Sequence, residues 1–436
     1  MREARVLLLS HTTGYQLRAF NDAAEALGIE LVFATDRCHK LDDPWQDRAI
    51  PVRFHALDAP VDAIVARARR YPVHGVIAVG DRPVVLAARA AQALNLPWHS
   101  VAGATASTDK RRSRAILAGA GLPAPAFFAA SAPASSFQLP APSIHLPFPM
   151  VLKPLGLSGS RGVIRANDRD EFDAAFERIR ALLARPQVRA ARTGLDDEIL
   201  VEEYIDGREY ALEGVLTEGA LRVFALFDKP DPLAGPFFEE TIYVTPSRAP
   251  ATTQALIVEH VARASRAMGL SHGPIHAECR VTPDQTVYVL EVAARPIGGL
   301  CSRVLRFQQP ASPKREQSST REGWGLEHVL LQHAVGQSIA HCAREDAAAA
   351  VMMIPIPGRG LYKGVAGEDE ARAVPGMTDV RITAKVGQLL EALPEAGSYL
   401  GFLFAHGATP AGAEASVRHA HRALTFDIAR EVKVTG

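Results

Sequence analysis

Two glutamates, Glu278 and Glu291, are spaced to meet on one face of a β-hairpin in the segment HAECRVTPDQTVYVLEVAARPIGG, residues 276–299. If the turn is centred on Asp284 and Gln285, the two glutamates lie directly opposite each other, with Cβ atoms roughly 5 Å apart. Carboxylates at that separation repel each other unless a cation lies between them. Because carboxylate oxygens suit Mg²⁺ or Mn²⁺, the hairpin predicts a divalent metal site. The alternative is a pair of solvated surface glutamates.

The alternation of side chains along the hairpin predicts which residues share that face. His276 lies on the same side of the first strand as Glu278. It is expected either to contact substrate or to be a hydrogen-bonded neighbour of the metal. On the second strand, Tyr288, Leu290 and Val292 are expected on the opposite, apolar side.

Two lysines and a glycine-rich loop are suited to binding phosphate. Lys110 stands in the first turn of a predicted helix, and Lys153 ends a predicted strand just before the loop GLSGSRG, residues 156–162. Such a loop offers backbone N–H groups to phosphate oxygens without obstruction by Cβ atoms, and the lysines add positive charge. Within the loop, Ser158 and Ser160 are expected to contact phosphate. Each feature alone is more often an ordinary turn or a solvated lysine.

The strands and helices predicted around these residues indicate a protein of mixed α/β and α+β class. The strands RVLLLS, IELVFAT and GVIAVGD alternate with amphipathic helices, which predicts an N-terminal doubly wound parallel α/β domain. Its first turn, SHTTG, lacks the GxGxxG pattern, so we expect a scaffold that shapes a substrate pocket and no dinucleotide site. Two α+β units and a small β-rich C-terminal subdomain follow. The expected boundaries are residues 1–105, 106–206, 207–345 and 346–436.

Composition favours small-molecule substrates. The 436 residues include 48 basic and 48 acidic side chains, giving zero formal charge, so neither nucleic acid nor a membrane surface is indicated as a partner. The four cysteines form no CxxC pair, which fits reduced thiols. The N-terminal apolar run is too short for a signal peptide, and no run approaches 18 apolar residues. A cytoplasmic location is therefore expected, and a homodimer is left open.

The order of these features resembles the ATP-grasp superfamily over roughly residues 75 to 345. The resemblance implies two α+β subdomains that enclose ATP between them, with Mg²⁺ or Mn²⁺ as the metal. It implies that Lys110 and Lys153 contact the nucleotide, and that Glu278 and Glu291 bind the metal. The segment EEYIDGRE resembles the hinge that holds adenine, which assigns the base to Glu202, Glu203, Tyr204 and Ile205 and the ribose to Glu209.

One residue departs from the family pattern. The asparagine of the E-x-N-x-R motif, often a further metal ligand, is Ala293 here, in EVAARPIGG. The same variation occurs in the L-amino acid ligase branch, whose small terminal domain is also similar to the segment containing IPIPGRG. This second resemblance depends on a shorter motif than the first.

The resemblance implies a carboxylate–amine ligase that joins amino acids, or an amino acid and a related carboxylate. ATP would convert the carboxylate to an acyl phosphate, an amine would displace phosphate, and ADP would be released. Arg295 would stabilise the tetrahedral intermediate. Glu240 is expected either to hold a substrate ammonium group or to be a strand-edge carboxylate, and no general base is identified. The alternative function is an ATP-grasp carboxylase or another enzyme that forms carboxyphosphate.

Overall fold

The architecture is taken from a computed structural model of the chain. It describes residues 4–11, 15–36, 49–131, 147–190, 194–195, 197–308 and 323–429. The sequence predicts a Pro- and Ser-rich linker at ASAPASSFQLPAPSIHLPFP, residues 130–149, and a mobile polar loop at QQPASPKREQSSTREGWG, residues 308–325. Most of both segments lies outside the described residues.

The N-terminal domain is a parallel sheet with helices on both faces. Its elements are β1 Ala4–Ser10, α1 Tyr15–Leu27, β2 Ile29–Thr35, β3 Ala49–Pro51, α2 Asp58–Arg70, β4 Gly75–Val79 and α3 Val84–Leu94. The strand order is β3-β2-β1-β4. Val6 and Leu8 pack with α1, whereas Leu7 and Leu9 pack with α2 and α3. Because alternate residues of β1 face opposite layers, the apolar run buries both faces. The doubly wound domain predicted from the sequence is confirmed.

Two helices and a small antiparallel sheet follow. They comprise α4 Val101–Ser107, α5 Lys110–Gly119, β5 Phe127–Ser131, β6 Met150–Pro154, β7 Ile164–Ala166, α6 Arg169–Leu183, α7 Pro186–Arg189 and β8 Glu198–Glu203. The sheet has the order β5-β8-β6-β7, and α6 packs on it through Phe172, Phe176 and Ile179. We call this sheet, together with α6 and α7, the lid. The glycine-rich loop connects β6 to β7.

An antiparallel sheet of eight described strands forms the rest of the framework. Its region contains β9 Arg208–Thr217, β10 Ala220–Asp228, β11 Ile242–Thr245, α8 Ala251–Met268, β12 Gly273–Val281, β13 Val287–Ala293, β14 Arg306–Phe307, β15 Trp324–Gly325 and α9 Leu326–Ala334. The C-terminal part adds β16 Ala348–Ile354, β17 Gly360–Ala366, α10 Glu368–Ala373, β18 Met377–Ile382, β19 Leu389–Leu390, β20 Gly401–Gly407, α11 Pro410–Ala423 and β21 Thr425–Ala429. The order is β13-β12-β9-β10-β11-β16-β20-β18, so three C-terminal strands extend the large sheet.

The β12–β13 hairpin places Glu278 opposite Glu291, as predicted. The turn differs from the prediction, which centred it on Asp284 and Gln285. Val281 pairs with Val287, and the connecting loop is residues 282–286. In this loop the amide and hydroxyl of Thr282 both bond to Thr286. The strands alone would then pair residue 278 with residue 290. A β-bulge beside Cys279 inserts one residue on β13 and brings Glu291 into register.

The bulge corrects one expectation about side-chain direction. Val287 and Val289 lie in the apolar core together with Val292, whereas Tyr288 and Leu290 do not. The prediction for Val292 is therefore confirmed, and the predictions for Tyr288 and Leu290 are wrong. An inserted residue reverses the alternation of faces, and sequence periodicity does not reveal where the insertion lies. Among the described helices, none has the length and apolar character needed to cross a bilayer.

Candidate active site

A cavity of about 470 Å³ lies between the N-terminal domain, the lid and the large sheet. Every site residue predicted from the sequence lines it. These residues are Lys110, Lys153, Ser158, Ser160, Glu202, Glu203, Tyr204, Ile205, Glu209, Glu240, His276, Glu278, Glu291 and Arg295. The structure thus brings the predicted residues together, while the role of each remains a prediction.

Lys110 is positioned by a capped helix and pairs with one glutamate of the hairpin. Asp109 is the N-cap of α5, and its carboxylate accepts a hydrogen bond from the amide of Arg112. The Nζ atom of Lys110 lies 3.2 Å from Oε2 of Glu291. Burial opposes the charged form of Lys110, but Glu291 and Asp81 together raise the pKa of its ammonium group. The helix start therefore supplies a fixed positive charge beside the hairpin.

Lys153 and Glu202 belong to a buried ion network on two adjacent lid strands. Nε of Arg114 lies 3.0 Å from Glu202, and the ammonium group of Lys153 contacts the same carboxylate. Burial alone would raise the pKa of Glu202, but the two cations lower it to about 2. Burial is also the main reason that the pKa of Lys153 is lowered. The side chain of Glu202 therefore pairs with Lys153 and Arg114. In the predicted hinge, only the backbone of Glu202 is left to contact adenine.

The hinge after β8 is tied to the surrounding fold by its backbone. The amide of Glu203 donates to the carbonyl of Ala126, and the amide of Tyr204 donates to the carbonyl of Pro149. The carbonyl of Ile205 accepts a hydrogen bond of 2.8 Å from Arg280. These contacts hold the segment rigidly along the cavity wall.

The glycine-rich loop is shaped by left-handed backbone conformations. Gly159 and Ser160 have φ angles of 65° and 55°, and Gly162 has φ of 76° with no room for a Cβ atom beside Pro154. Ser158 faces Asp81 of the N-terminal domain and helps to lower the pKa of that carboxyl group, together with Arg295 and Lys110. Arg161 points away from the predicted phosphate site, since its Nε donates to the carbonyl of Glu395 at 2.7 Å. The loop is thus fixed between two other parts of the molecule.

Lys229 is the main functional candidate that the sequence did not reveal. It directly follows β10, its side chain is 3% exposed, and its Nζ lies 2.8 Å from Glu209, 2.8 Å from Glu240 and 2.9 Å from Glu278. Burial disfavours its charge, but the three carboxylates hold the pKa of Lys229 well above its ordinary value. A lysine that ends an apolar strand, FALFDK, repeats the pattern used for Lys153 and could have been noticed on that ground.

Two of the carboxylates around Lys229 have pKa values shifted in opposite directions. Burial and the neighbouring Glu278 raise the pKa of Glu240 to about 8. For Glu278 the effect of burial is outweighed by Lys229 and His276, so its pKa falls below the ordinary range. Tyr243 donates a hydrogen bond of 2.9 Å to Glu240. Glu240 is therefore better described as a member of this buried cluster than as a solvated strand-edge carboxylate.

The donor set on the hairpin and the adjoining strands fits a divalent metal ion. Oxygen atoms of Glu209, Glu240 and Glu278 lie within 4.8 Å of one another. Glu278 and Glu291 face the same cavity and are 22% and 23% exposed. Glu291 pairs with Lys110, and Glu278 shares Lys229 with Glu209 and Glu240. A divalent ion bound by Glu278 and Glu291 would supply positive charge to both carboxylates.

Two further acidic residues orient catalytic candidates. Nε of Arg295 donates to Oδ1 of Asp81 at 2.7 Å, across 214 residues of sequence. Burial opposes its charge, but Asp81 raises the pKa of Arg295 above its usual range. Nδ1 of His276 lies 3.1 Å from the fully buried Glu213, which also accepts a hydrogen bond from the amide of Ile297. Neither Asp81 nor Glu213 was singled out from the sequence.

Three family models match the chain in successive segments. An ATP-grasp N-terminal domain matches residues 21–98, an ATP-grasp domain matches 146–304, and L-amino acid ligase C-terminal domain 2 matches 352–429. The crystal structure of an L-amino acid ligase from Bacillus licheniformis superposes with a TM-score of 0.79 at 26% identity, covering 99% of this chain and 100% of that chain. These matches confirm the fold predicted from the sequence.

Two curated relatives match over shorter parts of their length. The ATP-grasp enzyme fsqD of Aspergillus fumigatus is 25% identical over 354 residues, which are 71% of this chain and 56% of that protein. A D-alanine–D-alanine ligase of Aromatoleum aromaticum is 30% identical over 208 residues, covering 47% of this chain and 62% of that protein. The chain therefore spans less than two thirds of either relative.

Proposed function

Because this chain belongs to the ATP-grasp superfamily and ends in a domain of the L-amino acid ligase type, we propose that it joins amino acids, or an amino acid and a related carboxylate, through an amide bond. A carboxylate oxygen of the first substrate attacks the γ-phosphorus of ATP, and the bond to ADP breaks. The nitrogen of the amine then attacks the acyl carbon, and inorganic phosphate leaves. The products are the amide, ADP and phosphate.

One observation carries the proposal. The residues predicted to bind nucleotide, metal and acyl group line a single cavity but come from three parts of the fold. Lys110 and Lys153 line this cavity together with the glycine-rich loop, and Arg295 lies beyond Glu291 on the same chain segment. This arrangement supports a reaction in which phosphate is transferred and then displaced at neighbouring positions.

The side chains suggest a division of labour. Lys110, Lys153 and the amides of the glycine-rich loop would bind the triphosphate, since fixed cations in a partly dehydrated cleft bind phosphate oxygens strongly. Glu278 and Glu291 would hold Mg²⁺ or Mn²⁺, which when bound neutralises charge on those oxygens. The guanidinium of Arg295, held by Asp81, would donate hydrogen bonds to the oxyanion that develops when the amine attacks.

The experiment that tests this proposal is a screen of paired amino acids for ADP release. The purified chain is incubated with MgATP and each pair of the twenty protein amino acids, and products are identified by mass spectrometry. We expect ADP release that depends on the pair, with one equivalent of amide for each ADP. Bicarbonate is tested in parallel. ADP release that requires bicarbonate and yields no amide would instead favour the carboxyphosphate-forming alternative.

A further inference from the structure

Three glutamates, Glu209, Glu240 and Glu278, are arranged like the ligands of a metal ion, and we call them the carboxylate cluster. Their oxygen atoms lie within 4.8 Å of one another, which is close enough for one divalent ion to reach all three. Nζ of Lys229 already lies among them, at 2.8, 2.8 and 2.9 Å from the three carboxylates in that order. One ammonium group therefore stands where a metal ion would otherwise bind.

Both oxygens of Glu209 and of Glu240 accept hydrogen bonds. In Glu209, Oε1 accepts from Lys229 and Oε2 accepts from Nε of Arg280 at 3.0 Å. In Glu240, Oε1 accepts from Lys229 and Oε2 accepts from the hydroxyl of Tyr243 at 2.9 Å. A divalent ion that reached either carboxylate would lie beside the ammonium group, and repulsion between the two cations would oppose its binding.

Glu278 differs from the other two because its contacts converge on one oxygen. Nζ of Lys229, the hydroxyl of Tyr243 and Nε2 of His276 lie 2.9, 3.5 and 4.0 Å from Oε1. None of these three contacts uses Oε2. Glu278 is also 22% exposed, and it lines the cavity opposite Glu291 on the hairpin. The side chain is thus held at one oxygen and can offer the other to a metal ion in the cavity.

Lys229 is held behind the carboxylate cluster by the large sheet. It follows β10, whose Asp228 pairs with Tyr210 of β9, and its backbone amide donates to the carbonyl of Glu209 at 3.3 Å. Its side chain is 3% exposed, and Nζ lies 5.0 Å from the centre of the Tyr243 ring. All members of the carboxylate cluster line the cavity, whereas Lys229 is not among the described residues that line it. The ammonium group is thus placed to act through the carboxylates and not by touching a substrate.

We propose that Lys229 is the resident cation of the carboxylate cluster, which it closes to free divalent ions, so that Glu278 is the member left to bind the metal that accompanies ATP. Lys229 is then a positioning residue for Glu278. The inference deepens the proposed function and rests on its assignment of the metal to Glu278 and Glu291. The metal then binds in the cavity together with the nucleotide, whose phosphate oxygens add ligands, and not in the cluster beforehand.

Mn²⁺ binding in the absence of nucleotide tests this inference directly. Free Mn²⁺ gives a solution EPR signal that is lost on binding to protein, so a titration yields an affinity without substrate or turnover. The wild type is compared with Lys229→Ala, which removes the ammonium group, and with Lys229→Arg, which keeps a positive charge. Lys363→Ala, at an exposed position of β17, is the control for loss of a lysine. The affinity for the β,γ-methylene analogue of ATP is then measured by calorimetry in Mn²⁺ and in EDTA.

For Lys229→Ala we expect Mn²⁺ to bind without nucleotide at least about tenfold more tightly than to the wild type, because three carboxylates then face an uncompensated site. Mn²⁺ should also raise the melting temperature of this variant, since an ion that binds only the folded state stabilises it. Adding Glu240→Gln to Lys229→Ala should remove the new site. Lys229→Arg and Lys363→Ala should bind Mn²⁺ as weakly as the wild type. Mn²⁺ should tighten binding of the analogue to the wild type and to Lys229→Arg, and less to Lys229→Ala.

The possible results are distinct. Equal Mn²⁺ affinity of the wild type and Lys229→Ala overturns the inference, and so does tight binding by Lys229→Arg or a new site that survives Glu240→Gln. An equal gain in analogue affinity from Mn²⁺ in the wild type and Lys229→Ala overturns the positioning of Glu278. If Lys229→Ala is insoluble in EDTA, its refolding yield is compared in Mn²⁺ and EDTA. Recovery in Mn²⁺ supports the inference, and folding in neither overturns it, because a metal ion then does not replace the ammonium group.

Failure of the proposed function can be told apart from failure of this inference. It would appear as absence of amide in the screen of paired amino acids. The Mn²⁺ titration is unaffected by that result, because it uses neither an amino acid nor turnover.

Discussion

At the scale of single residues, the site is organised by carboxylates that each hold a cation. Glu291 pairs with Lys110, Glu278 pairs with Lys229, and Asp81 pairs with Arg295. The ammonium and guanidinium groups are therefore fixed before any phosphate is bound. Such preorganisation lowers the cost of orienting charges when phosphate is transferred.

Glu291→Gln tests the metal role of the hairpin. An amide keeps the shape of the side chain but loses the charge that would hold Mg²⁺ against phosphate, so we expect the rate of ADP formation to fall by more than about a hundredfold. Added Mg²⁺ should not restore it. Glu259→Gln on the exposed side of α8, where Glu259 pairs weakly with Arg263 at 3.7 Å, is the matched control. Recovery of the rate at high Mg²⁺ would mean that Glu291 only tunes metal affinity.

Arg295→Lys separates catalysis from structure at the Asp81 pair. Lysine keeps the positive charge but lacks the planar fork of donors, so the rate of amide formation should fall by about ten- to a hundredfold while MgATP still binds. ATP affinity, melting temperature and amide yield are measured on the same preparation. If Arg295 serves only as the ion-pair partner of Asp81, the variant will melt at a lower temperature and make amide at the normal rate for each folded molecule.

At the scale of elements, the lid and its glycine-rich loop contact the C-terminal part of the chain. Glu395 forms a two-point ion pair with Arg178 of α6, at 2.6 and 3.0 Å, and the amide of Gly162 donates to the carbonyl of Pro394 at 2.8 Å. Glu391 pairs with Arg185 at 2.8 Å. These contacts connect residues more than 200 positions apart. We call the segment from Glu391 to Glu395 the latch.

The double variant Glu391→Gln, Glu395→Gln tests whether the latch holds the lid against the C-terminal part of the chain. Partly exposed ion pairs each contribute about 0–1 kcal/mol, so we expect a small change in melting temperature but faster amide hydrogen exchange in residues 150–166. ATP affinity should fall by about two- to fivefold, as the same energy range implies. Glu177→Gln, which removes a pair within α6 itself, is the control. Unchanged exchange in the glycine-rich loop would show that the backbone contacts alone suffice.

At the scale of the whole molecule, the cavity lies where three parts of the fold meet, so nucleotide binding should stabilise all of them together. We expect MgATP at a hundred times its Kd to stabilise the wild type by about 2.7 kcal/mol. Lys153→Ala removes one of the cations predicted to bind the phosphates and should abolish most of the associated rise in melting temperature. Lys363→Ala, at an exposed position of β17, should leave it intact. An equal rise for Lys153→Ala, with equal affinity by calorimetry, would contradict the role of Lys153.

The sequence by itself determined the features that depend on short-range order. Alternation and apolar runs predicted the parallel domain and the hairpin, because strand direction and burial impose those periods locally. The glycines and the two strand- or helix-terminal lysines predicted the phosphate-binding segments for a similar reason. The order of these segments along the chain was then sufficient to predict the ATP-grasp fold.

Only the tertiary structure decided which distant groups meet. Lys229 reaches Glu278 from 49 residues away, and Asp81 reaches Arg295 from 214 residues away, so no local pattern specifies either pair. The bulge that brings Glu291 opposite Glu278 was also not predicted, because the sequence of the two strands does not reveal where the inserted residue lies. Charges in a cavity are set by burial and by neighbours from several elements, and these exist only once the sheets have packed.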